Sequence, residues 1–134
     1  MKRLIFLLLL SLTAETSLAW GPKGHDIVAY IAECNVNKRV KAKVEAALGG
    51  HSFTYYSSWM DNIRNIPEYR HTATWHYANV DEGYTYETMP KNPNGDVLTA
   101  VTLTVEKLKS HDLTPEEENI YLRYLIHLVG DLHC

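Results

Sequence analysis

One long segment near the end of this 134-residue chain constrains its fold more than any other sequence feature. It opens with a helix-start signal, in which a capping threonine precedes a first-turn proline and two acids, Thr114-Pro115-Glu116-Glu117. Apolar side chains then recur at helical spacing as far as Leu132, and they are Leu122, Leu125, Ile126 and Val129. The segment therefore predicts a long helix with one apolar face.

The remainder of the chain also has the pattern of a helical protein. Periodicity and helix boundaries predict four more helices, over residues 25–34, 38–48, 57–66 and 97–109. Asp96 is a suitable N-cap for the last of them, and Pro67 closes the third. Residues 71–81 have no clean period and are predicted to be extended, and residues 84–94 form a turn-rich loop. Because repeats and convincing alternating strands are lacking, the sequence predicts an all-α, multi-helical domain.

The first nineteen residues have the layout of a secretory signal peptide. A basic start at residues 1–3 precedes an apolar run at residues 4–12, and small residues at positions 17 and 19 come just before Trp20. The apolar run is shorter than the ~20 residues that a membrane-spanning helix needs. We expect residues 1–19 to be removed, leaving a protein exported to the periplasm or the medium without a stable membrane anchor. An uncleaved N-terminal anchor is the alternative reading.

The charge balance restricts how the chain could bind a polyanion. Removal of two basic residues and one acid with the signal peptide changes the formal net charge from −3 to −4. A mildly acidic protein has no basic surface with which to track phosphates. Bound metal ions would therefore have to supply the positive charge.

His127 and Asp131 are four residues apart on the last predicted helix, which puts both side chains on one face. Such a pair is more often solvated than bound to metal, but here its neighbours are apolar, so it should point inward or into a cleft. A buried Asp needs a partner, which can be a metal ion, an Arg or a His. Asp61 could similarly form a surface pair with Arg64, and His76 could be an ordinary core histidine.

Four motifs in order give these residues a common interpretation. They are Trp20-Gly21-x-x-Gly24-His25, Trp59-Met60-Asp61, Trp75-His76-Tyr77-Ala78-Asn79, and His127-Leu128-Val129-Gly130-Asp131-Leu132-His133. From Trp20 to Cys134 the chain resembles the trinuclear-zinc single-strand nucleases, the family of mung bean nuclease, which is related to bacterial zinc-dependent phospholipase C.

The resemblance implies a set of zinc ligands. Trp20 would bind one ion through its α-amine and carbonyl oxygen, together with His25. Asp61, His76 and His127 would bind a second ion, and Asp131 would bridge the two. Nitrogen and oxygen donors of this kind suit Zn²⁺.

The resemblance also implies substrate contacts and a limit on the metal content. Tyr77 would stack on a base, Asn79 would read its edge, and Arg64 would face the phosphate. The ligands of the third zinc would lie beyond Cys134, and His133 is too early in its motif to be one of them. Residues 20–134 would then be the N-terminal part of the nuclease domain, ending near its midpoint, with at most two zinc ions and no expected activity alone.

The activity implied is endonucleolytic hydrolysis of single-stranded DNA or RNA by a hydroxide held between two zinc ions, giving 5′-phosphate products. Asp61, Asp131 and Arg64 would be the catalytic residues, and no protein partner is implied. A zinc-dependent phospholipase C and a non-catalytic secreted helical domain are the alternatives. The sequence leaves open the choice of DNA or RNA, an additional 3′-nucleotidase activity, the pairing of Cys34 with Cys134, and the oligomeric state.

Overall fold

The computed structural model describes residues 21–133, which form an all-α fold, as the sequence predicts. The α-helices are α1 (Pro22–Asn35), α2 (Lys38–Ala47), α3 (Trp59–Ile63), α4 (Val97–Ser110) and α5 (Pro115–Leu132). Two 3-10 helices lie between α2 and α4, namely η1 (Thr54–Tyr56) and η2 (Pro67–Thr72). No strand is present within residues 21–133. The predicted signal peptide (1–19), Trp20 and Cys134 lie outside the described residues.

The predicted helix start of α5 is present in full. Thr114 Oγ1 accepts a hydrogen bond from the Glu117 amide at 3.2 Å, and the Glu117 carboxylate accepts one from the Thr114 amide at 2.9 Å. Pro115 occupies the first turn. This reciprocal cap satisfies two backbone donors that the first turn would otherwise leave unpaired, so it fixes where α5 begins.

Helix α5 is the element around which the others pack, and it contacts each of the other four α-helices within residues 21–133 as well as η1. One buried cluster lies on the α4 side and consists of Met60, Trp75, Val97, Ala100, Tyr124 and Leu128. A second lies on the α1 and α2 side and consists of Ala29, Leu48, Phe53 and Tyr56. The two clusters place α5 between two apolar regions.

The single apolar face predicted for α5 is therefore only one of its two buried faces. Leu122 and Ile126, from the predicted face, pack against the second cluster, whereas Tyr124 and Leu128 belong to the first. The four predicted residues line an apolar groove of about 260 Å³ with α1 and α2. A helix covered on both sides buries more of its circumference than one apolar stripe indicates.

The region around the third predicted helix is more irregular than the sequence indicates. The helix expected over residues 57–66 is limited to Trp59–Ile63, and Pro67 begins η2. A proline is well suited to a first helical turn because its missing N–H would be unpaired there anyway. This short helix carries Asp61 toward α5.

The prediction that residues 71–81 are extended is wrong for the first part of this segment. Residues 71–72 belong to η2, turns follow, and regular structure is absent from residues 77–81. The buried Trp75 anchors the segment, because its Nε1 donates to the Asn94 carbonyl at 3.1 Å. The Val97 amide donates to the Tyr77 carbonyl at 3.2 Å. The segment is therefore held by hydrogen bonds to residues about twenty positions further along the chain rather than by the regular backbone hydrogen bonds of a helix or strand.

Within the described part of the chain, no helix combines the length and the apolar character needed to cross a bilayer.

A partly buried ion pair joins α1, α2 and the segment before η1. Glu33 accepts a hydrogen bond from Lys41 Nζ at 2.7 Å and one from the Phe53 amide at 3.0 Å. The bond from Lys41 lowers the pKa of Glu33 below its ordinary value of 4.5, with burial opposing and the Phe53 amide assisting. A depressed folded-state pKa contributes stability above the unfolded-state pKa, and this contribution is lost as the pH falls through the folded-state value.

Glu33→Gln should lower the free energy of unfolding by about 1 kcal/mol at pH 7, because a charged hydrogen-bond acceptor is lost. Urea unfolding at pH 7 and pH 3.5 measures the difference, which should shrink at the lower pH as wild-type Glu33 becomes protonated. Glu106→Gln on the exposed surface of α4 is the matched control. An equal deficit at both pH values would contradict a role for the Glu33 charge.

Candidate metal centre

Five of the sequence-predicted site residues converge at one place in the fold. They come from α1, α3, the segment after η2, and α5, and they are His25, Asp61, His76, His127 and Asp131. His127 is fully buried and His25 is 2% exposed. The fold therefore brings together side chains from opposite ends of the described chain.

His127 is held with one ring nitrogen directed into the cluster. Its Nδ1 donates to the Ser57 carbonyl oxygen at 2.7 Å, and a carbonyl can only accept, so Nδ1 carries the proton. In the neutral ring Nε2 then has the free lone pair. A backbone carbonyl bound to the outer nitrogen is one of the common ways in which a metal-ligating histidine is oriented.

The first candidate metal group combines Asp61, His76 and His127. The two ring nitrogens, His127 Nε2 and His76 Nδ1, are 3.0 Å apart, and Asp61 Oδ1 lies 3.7 Å from His76 Nδ1 and 3.9 Å from His127 Nε2. Tetrahedral zinc with bonds of about 2.0–2.1 Å separates its ligand atoms by about 3.3 Å. The donor spacing therefore suits a small divalent cation.

The second candidate group combines His25, His127 and Asp131. His25 Nε2 lies 3.5 Å from Asp131 Oδ1 and 4.0 Å from Asp61 Oδ2. The ring of His25 stacks on that of His127 with their centres 4.2 Å apart. Trp20, which the resemblance assigns to this ion, lies outside the described residues.

Asp131 divides its two carboxylate oxygens between the groups. Oδ2 is 3.1 Å from both His76 Nδ1 and His127 Nε2, while Oδ1 faces His25. Among residues 21–133, neither Asp131 nor Asp61 pairs with a Lys or Arg. The negative charges are thus compensated by histidine or by a cation, and the three imidazoles and two carboxylates fit a pair of zinc ions in donor type and spacing.

The electrostatics of the cluster favour positive charge next to Asp131. Burial would raise the pKa of Asp131, but hydrogen bonds from His127 and His76 outweigh it and lower the pKa to about 2. Burial also opposes the charged form of His127, yet the hydrogen bond to Asp131 raises the pKa of that ring above 6.5. Burial and the neighbouring His127 lower the pKa of His25. Asp131 is therefore an anion at neutral pH, and it attracts a proton on His127 or a metal ion.

Gly130 contributes to the site although sequence reasoning assigned it no role. An added Cβ at this position would lie 2.3 Å from His25 Nδ1, a separation that side chains cannot tolerate. The missing side chain lets the His25 ring lie directly against α5. A glycine inside a helix, which costs about 1 kcal/mol relative to alanine, was the sequence signal that could have identified this close approach.

The three proposed substrate residues lie outside the buried cluster. Tyr77 is 47% exposed. Together with Asn79 and the loop of residues 89–96 it lines a cleft of about 330 Å³. Arg64 follows α3, is exposed, and forms no ion pair with Asp61, so the surface pair considered from the sequence is absent. His133 is also exposed, and its Nδ1 donates to the Val129 carbonyl at 2.7 Å.

Comparison with known proteins agrees with the family resemblance. The family model described as S1/P1 Nuclease matches residues 20–134. Nuclease P1 from Penicillium citrinum is 25% identical in an alignment that is 126 residues long and covers 84% of this chain and 45% of that protein. Endonuclease 5 from Arabidopsis thaliana is 26% identical in an alignment that is 148 residues long and covers 97% of this chain and 49% of that protein. Nuclease S1 from Aspergillus oryzae is 23% identical over 129 residues, with corresponding coverages of 90% and 44%. The chain spans less than half the length of these curated relatives.

Gly130→Ala should weaken zinc binding by about 10-fold or more, because the added methyl group displaces His25 and misplaced ligands bind metal less tightly. Helix propensity alone would make the variant about 1 kcal/mol more stable. Competition with a chromophoric chelator gives the affinity, and urea unfolding gives the stability. Glu106→Ala, an exposed change on α4, controls for general effects of added alanine. Unchanged zinc affinity in Gly130→Ala would contradict the close packing of His25 on α5.

Proposed function

Because the chain belongs to the S1/P1 nuclease family, we propose that residues 20–134 are the N-terminal part of a secreted zinc-dependent phosphodiesterase that cleaves single-stranded DNA or RNA. The observation that carries the proposal is the carboxylate of Asp131, which faces one histidine with Oδ1 and two with Oδ2. A carboxylate placed in this way can bridge two cations. Paired metal sites of this type are common in enzymes that hydrolyse phosphate esters.

Two zinc ions are the proposed cofactors of this part of the protein. His25 and Trp20 would hold one, and Asp61, His76 and His127 would hold the other, with Asp131 shared. Zinc in such a site acts as a Lewis acid that activates water and offsets negative charge on a phosphoryl group. A third ion, bound by residues beyond Cys134, belongs to the same proposal.

The side chains around the metal groups have separate proposed tasks. Asp61 and Asp131 hold the cations in place, and Arg64, which is exposed one turn after Asp61, is available to an incoming phosphate. A guanidinium binds phosphate well because its N–H groups form a planar fork. Hydrolysis of the phosphodiester bound at the metal groups would release products with a 5′-phosphate.

Selection of single strands would depend on the cleft lined by Tyr77 and Asn79. The exposed ring of Tyr77 directly follows His76, a proposed ligand, in sequence, and its proposed role is to stack on a base of the substrate. Stacking of this kind is available to unpaired bases and not to bases inside a duplex. Asn79, in the same cleft, offers an amide donor and acceptor to the edge of the base.

A zinc-dependent phospholipase C is the second candidate, and one observation favours it. Helix α1 exposes three large hydrophobic side chains, Ile27, Tyr30 and Ile31, each by more than half. An exposed apolar surface of this kind can contact a membrane or another protein. The nuclease remains our proposal because the family match and the cleft beside the exposed Tyr77 ring both favour it.

The full-length protein should hydrolyse single-stranded DNA much faster than duplex DNA, with no comparable activity on phosphatidylcholine. Asp131→Asn should reduce that activity by at least about 100-fold, because one shared ligand serves both cations. Asp112→Asn, on the exposed loop before α5, should leave the rate unchanged. Hydrolysis of phosphatidylcholine alone would support the phospholipase, and fewer than one zinc per chain with no hydrolysis would support a non-catalytic domain.

Removal of the signal peptide should be necessary for activity. The α-amine of Trp20, with a pKa of about 7.7–8, can deprotonate and bind metal, whereas an amide nitrogen in an uncut chain cannot. A full-length protein that retains one extra residue before Trp20 should therefore lose most of its nuclease activity. Proteolytic removal of the extra residue should restore it. Full activity with the extension in place would rule out the Trp20 amine as a ligand.

A further inference from the structure

We propose that Asp26 is a positioning residue for the metal centre, acting through Ser57 on His127. The inference rests on the proposed role of His127 as a zinc ligand, but its structural part concerns the orientation of the ring and can be tested without metal. Asp26 belongs to neither candidate metal group among the described residues.

Ser57 connects Asp26 to His127 through two different atoms. Its hydroxyl donates to Asp26 Oδ1 at 2.5 Å, a short charge-assisted bond. Its carbonyl oxygen accepts from His127 Nδ1 at 2.7 Å. Ser57 is 2% exposed and His127 is fully buried, so water cannot readily replace either bond. The carbonyl that selects the His127 tautomer is thus attached to a residue that α1 holds by its side chain.

The segment that contains Ser57 has little regular structure with which to hold this carbonyl. Ser57 follows the 3-10 helix η1, where its amide donates to the Thr54 carbonyl at 3.2 Å. A single 3-10 turn constrains the backbone less than an α-helix does. A side-chain hydrogen bond from a neighbouring helix therefore has a large effect on where the carbonyl points.

The hydrogen bond between Ser57 and Asp26 also connects the elements that carry three of the proposed metal ligands. Asp26 follows His25 in α1, so the helix that directs His25 into the cluster also anchors Ser57. Helix α3 begins two residues after Ser57 and carries Asp61. Movement of Ser57 would consequently disturb His127 and Asp61 together, while the position of His25 would be set by α1 itself.

Two variants remove the bond from opposite sides. Asp26→Ala and Ser57→Ala should each weaken zinc binding by about 10-fold, the lower end of what loss of an outer hydrogen-bond partner costs. Asp26→Asn retains an acceptor oxygen for the Ser57 hydroxyl and should stay within about threefold of wild type. Ser52→Ala, in the same segment, removes a hydroxyl that accepts from the Tyr55 amide and has no connection to His127, so it is the matched control.

The measurements are made on the full-length protein with the signal peptide removed. Chelator competition gives the zinc affinity, and the visible spectrum of the Co²⁺-substituted protein reports ligand geometry. Long-range ¹H–¹⁵N spectra of the metal-free protein, recorded at a pH at which the His127 ring is neutral, report its tautomer. We expect Asp26→Ala and Ser57→Ala to shift His127 toward the form protonated on Nε2, and Asp26→Asn to keep the wild-type form.

The outcomes separate this inference from the proposed function. A wild-type His127 tautomer and wild-type Co²⁺ spectrum in both alanine variants would overturn the positioning role, even if stability fell. Equal losses in Ser52→Ala would also overturn it, because the effect would then be general to the segment. If the wild-type protein binds no zinc and cleaves no nucleic acid, the proposed function fails, and the tautomer measurement still decides whether Asp26 orients His127.

Discussion

The packing of the helices around α5 depends on one electrostatic constraint. The Asp131 carboxylate is largely buried and must lie next to positive charge. Its side chain is 13% exposed and has histidine nitrogens on both sides, with no Lys or Arg paired to it in the described residues. A buried carboxylate without compensation would be strongly destabilising. The fold therefore has to bring His25 from α1, and His76 from the irregular segment after η2, against one end of α5.

Local sequence signals were sufficient to predict most of the helices. The structure has α2, α4 and α5 beginning at the predicted residues, because Asn37, Asp96 and Thr114 each accept a hydrogen bond in the first turn. Helix α1 begins earlier than predicted, at Pro22, which suits a first turn. The spacing of His127 and Asp131 also predicted correctly that the two side chains share a face, since this follows from helix geometry alone.

What the sequence could not predict depends on contacts between distant residues. The path of residues 71–81 is set by the bond of Trp75 to Asn94, and no local period indicates it. The second buried face of α5 arises because two separate hydrophobic clusters pack against opposite sides of this helix. The closeness of His25 to Gly130 and the link from Asp26 through Ser57 to His127 likewise join residues that are far apart in sequence. The ligand set came from a family resemblance, and its metal-binding role remains a prediction.

The position of α5 between two hydrophobic clusters has a consequence for how the protein unfolds. Both clusters pack against α5, so loss of packing in one cluster would expose a side of the helix on which the other cluster depends. The two clusters should therefore unfold as one cooperative unit. His127, on the shared helix, would then keep its surroundings until the whole domain unfolds. Local fluctuations are expected at the loops, such as residues 84–95, rather than at the histidine cluster. The geometry of the site should accordingly be retained up to the global transition and lost in a single step with it.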